Sequence, residues 1–137
     1  MSADTTDWTE LSEFAGVDLT SSYVLSWGVE ADVLLIDIDL YLLPDHPHYE
    51  EPRPAEKACI RAAFIEFPWC TRAAASGDAK AMPVADSIGK LGTGRITGFR
   101  RTGEGKYEMS GEFSSVLIDA ERPMIRLKNI HERKKAT

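Results

Sequence analysis

The densest group of chemically versatile side chains is Asp45-His46-Pro47-His48-Tyr49-Glu50-Glu51, two imidazoles and three carboxylates within seven residues. Histidines at i and i+2 of an extended segment can grip one zinc or nickel ion. A closed metal site needs further donors, and only His131 or a distant cysteine could add one that is not a carboxylate. The simpler reading is a proline-stiffened surface loop with Tyr49 packed inward and both histidines in water, holding no metal and no cofactor. Asp37 and Asp39 form a second pair, about 6 to 7 Å apart along one strand face. Two carboxylates at that separation can divide into acid and base if burial raises one pKa. The opposite face of that strand is aliphatic, which marks the two acids as its solvent side and assigns neither a catalytic role.

Two further signals fail on context. Gly92-Thr93-Gly94 with Gly98 matches neither GxGxxG nor GxxxxGKS, and a strand pattern follows where phosphate binding needs a helix. These read as turn and bulge glycines. Cys59 and Cys70 form no CxxC pair and read as reduced thiols, Cys59 as a small buried hydrophobe, although Arg61 or Arg72 could lower a thiolate pKa.

The elements that must position these groups follow from periodicity. Trp8, Leu11 and Phe14 lie at near-helical spacing before Gly16, which predicts one short N-terminal helix. Tyr23, Leu25, Trp27 and Val29 alternate with smaller residues, and Leu34, Ile36, Ile38, Leu40 and Leu42 alternate with Asp37 and Asp39, which predicts an antiparallel hairpin around Glu30-Ala31-Asp32. Four prolines between Pro44 and Pro54 make that stretch loop. Strands are expected near 22–30, 33–43, 57–67, 94–101 and 106–113, with a further pair at Val116 to Asp119 and Met124 to Leu127. Their buried face should include Leu25, Trp27, Ile36, Ile38 and Phe64. Residues 68–92 carry little pattern and read as a mobile connection or a hidden short helix. Trp8, Phe14, Tyr23, Trp27, Phe64, Phe67 and Trp69 read mainly as core-facing or strand-end aromatics that fill the interior, although they could line a ligand cavity. The predicted fold is all-β and mainly antiparallel, an approximately seven-stranded sandwich or open barrel with one short helix. It is expected as a single domain over 1–137 with frayed ends at 1–7 and 130–137.

The chain of 137 residues has 43% hydrophobic and 28% charged residues, a composition that supports a packed core without disulfides or a structural metal. The longest apolar stretch is broken by Asp37 and Asp39, which excludes a membrane-spanning helix, and the acidic start lacks signal-peptide features, so a cytoplasmic location is expected. Residues 1–56 carry 13 Asp and Glu against Arg53 alone, a net of −12, while residues 57–137 carry 15 Lys and Arg against 9 acids, a net of +6. Either the halves neutralise each other on packing, or an acidic face steers a basic partner. Overall acidity argues against nucleic acid, despite the basic run at 131–135.

Val17-Asp18-Leu19, Tyr23-Val24-Leu25-Ser26-Trp27, Leu34 to Leu40, Leu43-Pro44-Asp45-His46-Pro47-His48-Tyr49, Cys59, Phe64-Ile65-Glu66-Phe67 and Gly111-Glu112-Phe113, in this order, resemble small uncharacterised bacterial β-domains. Some of these are similar to immunity proteins of toxin systems. The resemblance spans residues 14 to 120, carries no catalytic motif, and implies a bacterial interaction module. The expected function is therefore non-catalytic binding of a protein, with a basic partner meeting Asp37, Asp39, Asp45, Glu50 and Glu51 beside His46, His48 and Tyr49. A small-ligand-binding β-domain is the alternative, followed by a hydrolase using Asp37 and Asp39 or the His46 and His48 loop.

Overall fold

A computed structural model of the chain describes residues 5–52, 54–55, 58–77 and 82–128. Among the described residues, nine strands form one open antiparallel sheet: β1 (Thr6–Asp7), β2 (Val17–Glu30), β3 (Val33–Leu42), β4 (Cys59–Phe67), β5 (Arg72–Ala75), β6 (Gly94–Gly103), β7 (Lys106–Gly111), β8 (Ser114–Asp119) and β9 (Met124–Leu127). The order across the sheet is β5-β8-β7-β6-β2-β3-β4-β9, with β1 added alongside β6. The sheet bends back on itself. Phe67 of β4 meets Phe99 of β6 at 6.1 Å and Tyr107 of β7 at 5.4 Å between ring centroids, and Phe14 meets Phe99 at 5.1 Å. Main-chain pairing between the two halves runs through Tyr23 with Arg95 and Val24 with Gly94.

The all-β prediction holds, and the strand count rises from about seven to nine because β1 and β5 are added. The stretch at 68–92 contains both β5 and a one-turn helix, α1 (Val84–Ile88). The single N-terminal helix is instead two 3₁₀ turns, Trp8–Glu10 and Ser12–Phe14, separated by an extended Leu11. The physical reason is the spacing: Trp8, Leu11 and Phe14 recur every three residues, the period of a 3₁₀ helix, and an isolated segment this short does not stabilise an α-helix. Asp7 caps the first turn by accepting from the Thr9 amide and hydroxyl. Residues 1–4 and 129–137, His131 among them, lie outside the described residues.

β3 buries Leu34, Ile36, Ile38, Leu40 and Leu42 in strict alternation, as its period requires. β2 departs from expectation. Asp18 pairs with Tyr41 and Tyr23 with Asp39, so four residues of β2 face one of β3. Within this bulge Ser21 and Thr20 donate to the Asp18 carboxylate. The buried Ser22 hydroxyl donates to the Asp18 carbonyl and accepts the Tyr41 amide, filling the place of a ladder carbonyl. A second shift at Leu25 reverses the phase again. Val24 is therefore buried, Leu25 is 47% exposed, and Trp27 and Val29 return to the core. Trp27 is fixed there by its indole N–H bond to the Gly92 carbonyl at 2.7 Å and an edge contact with Phe113. Phe64 is also corrected: it lies on the outer face, with Lys128 and Arg126 over its ring at 4.5 and 4.9 Å.

Candidate functional site

Two of the five acids expected to form one free face, Asp37 and Glu50, are paired with cations on folding. Asp37, paired in register with Phe64 across β3 and β4, receives a bond from the Lys128 ammonium at 2.6 Å. Glu50 takes the Arg61 guanidinium at 2.7 Å, and Glu13 lies 3.8 Å from Arg122. These three pairs each join the acidic first half to the basic second half, which supports mutual neutralisation over one continuous acidic surface. Asp39 shares the outer face with Asp37 but stands between Tyr23 and Ala62 in the register. Asp45 and Glu51 are exposed in the loop, and Tyr49 packs partly against the core.

His46 and His48 do come together, with ring centroids 5.9 Å apart. Their loop is anchored by Gly16, whose carbonyl accepts the Leu43 amide. Gly16 has φ +79°, and a Cβ there would lie 3.0 Å from the His46 Cα, so both backbone and space require glycine. His46 Nδ1 accepts the His48 amide at 3.0 Å, which holds the ring with Nδ1 deprotonated. Burial, followed by the neighbouring His48, lowers the His46 pKa, while Asp45 opposes that shift. The two rings border a shallow groove of about 320 Å³ beside Glu13, Met124 and Ile125. Among the described residues, no three His, Cys, Asp or Glu side chains assemble around a metal position. Cys59 and Cys70 are buried, and burial pushes the Cys70 thiol up.

Two features escaped sequence reasoning. Trp69, grouped above with core and strand-end aromatics, is 68% exposed and has φ +52°, a left-handed conformation that is costly for a tryptophan. It is held from both sides. The Cys70 amide bonds the Asp32 carbonyl at 2.8 Å, and the Glu121 amide bonds the Pro68 carbonyl at 2.9 Å. The first bond ties Trp69 to the β2–β3 turn, where Glu30 and Asp32 are exposed. The hydrophobic character of Trp69 pointed inward, and only the tertiary anchoring reverses that.

The second feature is a cavity of about 700 Å³ at the open end of the sheet, lined by Thr6, Arg101, Tyr107, Glu104, Glu121 and Arg122 together with the turn glycines. Register places Thr6, Arg101 and Tyr107 in one row across β1, β6 and β7. Burial, then Glu13, raises the Tyr107 pKa, so its phenol stays a protonated donor. The consecutive Arg100 and Arg101 gave no sign of which points inward. Arg100 pairs with Glu108 on the outside, and Arg101 turns to the cavity. No helix among the described residues is long and apolar enough to cross a membrane. No protein-family model, curated protein or solved structure matches the chain.

Proposed function

We propose that the protein is a non-catalytic protein-binding module whose docking point is the tip formed by Trp69 and the β2–β3 turn. The observation that carries this reading is the 68% exposure of Trp69 on a backbone pinned in a left-handed conformation. Tryptophan is the side chain most enriched among residues that dominate interface energies, because its large rigid surface loses little entropy on burial. Strain retained at an exposed aromatic is understandable where the side chain is presented to a partner. Glu30 and Asp32 beside it favour a basic partner, in keeping with the excess of acid in residues 1–56.

The test is affinity capture from lysate of the source cell with the wild-type chain, Trp69→Ala and Asp32→Asn side by side, followed by kinetics with the recovered partner. A basic protein bound one to one by the wild type should be lost by Trp69→Ala, a loss of at least about 2 kcal/mol for a central anchor. Its association should slow with added salt and with Asp32→Asn. A partner that binds Trp69→Ala as tightly as wild type refutes the tip as the docking point.

A further inference from the structure

We propose that the cavity at the open end of the sheet binds a small zwitterion of the α-amino-acid class, with its carboxylate on Arg101 and its ammonium between Glu104 and Glu121. The cavity and the Trp69 tip share only Glu121, whose main chain anchors Pro68 while its side chain lines the cavity, and the proposal does not depend on the tip. The geometry begins with Arg101. Its Nε is shielded from water and has no hydrogen-bond partner, and Arg101 makes no ion pair among the described residues. The Arg101 side chain lines the cavity without an anionic partner among the described residues, and a carboxylate is the planar two-oxygen group that a guanidinium fork accepts best. Thr6 and Tyr107 flank Arg101 in the same row and supply two hydroxyls, the latter kept protonated by its burial.

The charges on the walls select the rest of the ligand. Arg122 is drawn toward Glu13, leaving Arg101 as the uncommitted cation of the lining. Glu104 and Glu121 are exposed at the rim and make no ion pair among the described residues. A phosphate dianion entering here would meet both carboxylates. A long-chain acid would find the Tyr107 ring as the main apolar surface among polar side chains and glycine backbone. A molecule with one negative and one positive end matches the cavity from floor to rim, and the space exceeds what a single amino acid needs.

The experiment is a titration of isotope-labelled full-length protein, followed through backbone amide shifts, with glycine, alanine and glutamine. Acetate, inorganic phosphate and methylamine serve as single-charge probes. The expected result is saturable movement of the Arg101, Gly103, Gly105 and Tyr107 amides with at least one amino acid, at least about tenfold tighter than with acetate or phosphate. Arg101→Gln should abolish it, and Arg101→Lys should weaken it while preserving the fold. Because Nε is unpartnered in the free protein, Arg101→Gln should not lower the melting temperature. Trp69→Ala should bind the amino acid unchanged, which separates this result from the fate of the docking tip. Absence of saturation by all three amino acids, equal affinity for acetate or phosphate, or full binding by Arg101→Gln would each overturn the proposal.

Discussion

Ser22 shows how much one hydroxyl can carry in a strand. Its oxygen bridges the Asp18 carbonyl and the Tyr41 amide across the bulge, in a position with no access to water. Ser22→Ala removes both of these bonds from a buried site and should cost about 2 kcal/mol, read as a lower denaturation midpoint at unchanged denaturant slope. Wild-type stability in that variant would mean that water enters the bulge. His46 gives a pH dependence. Its folded pKa lies below its ordinary value of 6.5, so the unfolded chain takes up the proton first as pH falls. The stability contributed by neutral His46 is complete above the unfolded value, declines as pH drops through it, and levels off below the folded value. The melting temperature should therefore fall between about pH 7 and pH 5, and less steeply in His46→Asn, which retains an acceptor near the Nδ1 position. Equal slopes in the two proteins would remove His46 as the cause.

At the scale of elements, the β2–β3 turn spends its two central residues, Ala31 and Asp32, at φ +51° and +65°. Both values belong to the tight hairpin turn usually occupied by Asn-Gly, and alanine tolerates this region poorly. Ala31→Asn should raise stability by about 1 kcal/mol, visible as a higher denaturation midpoint. No gain would indicate that Ala31 makes a compensating contact. β3, whose period is undisturbed, was readable in advance, and the β6–β7 turn at Glu104-Gly105 was marked by its glycines although that ladder shifts register twice. β2 was misread at Leu25 because a bulge resets the phase without any change in residue type. β5 is Arg-Ala-Ala-Ala, a sequence without strand propensity, and exists because β8 offers it a ladder. The candidate sites were less visible for the same reason. The notable property of Asp37 and Glu50 is their pairing with Lys128 and Arg61, and that of Arg101 is an Nε without a hydrogen-bond partner among the described residues. Both depend on residues distant in the chain.

Across the whole molecule, the two halves of the sheet depend on each other chiefly through side chains. Phe14, Phe67, Phe99 and Tyr107 form one ring cluster drawn from the N-terminal turns, β4, β6 and β7. Phe67→Ala should cost about 3 to 5 kcal/mol and loosen both halves together, as measured by calorimetric unfolding. A loss confined to one half would show that the cluster does not couple them. The Glu50–Arg61 and Glu13–Arg122 pairs between the two chain halves each keep one partner exposed and add little. The narrow main-chain seam at Tyr23 with Arg95 and Val24 with Gly94 has a kinetic consequence. A ladder of two residue pairs is a weak barrier to sub-global opening, so native-state hydrogen exchange should resolve two protection classes. The β2-β3-β4-β9 amides should form one and the β5-β8-β7-β6 amides the other, with the seam exchanging at the rate of the less stable class.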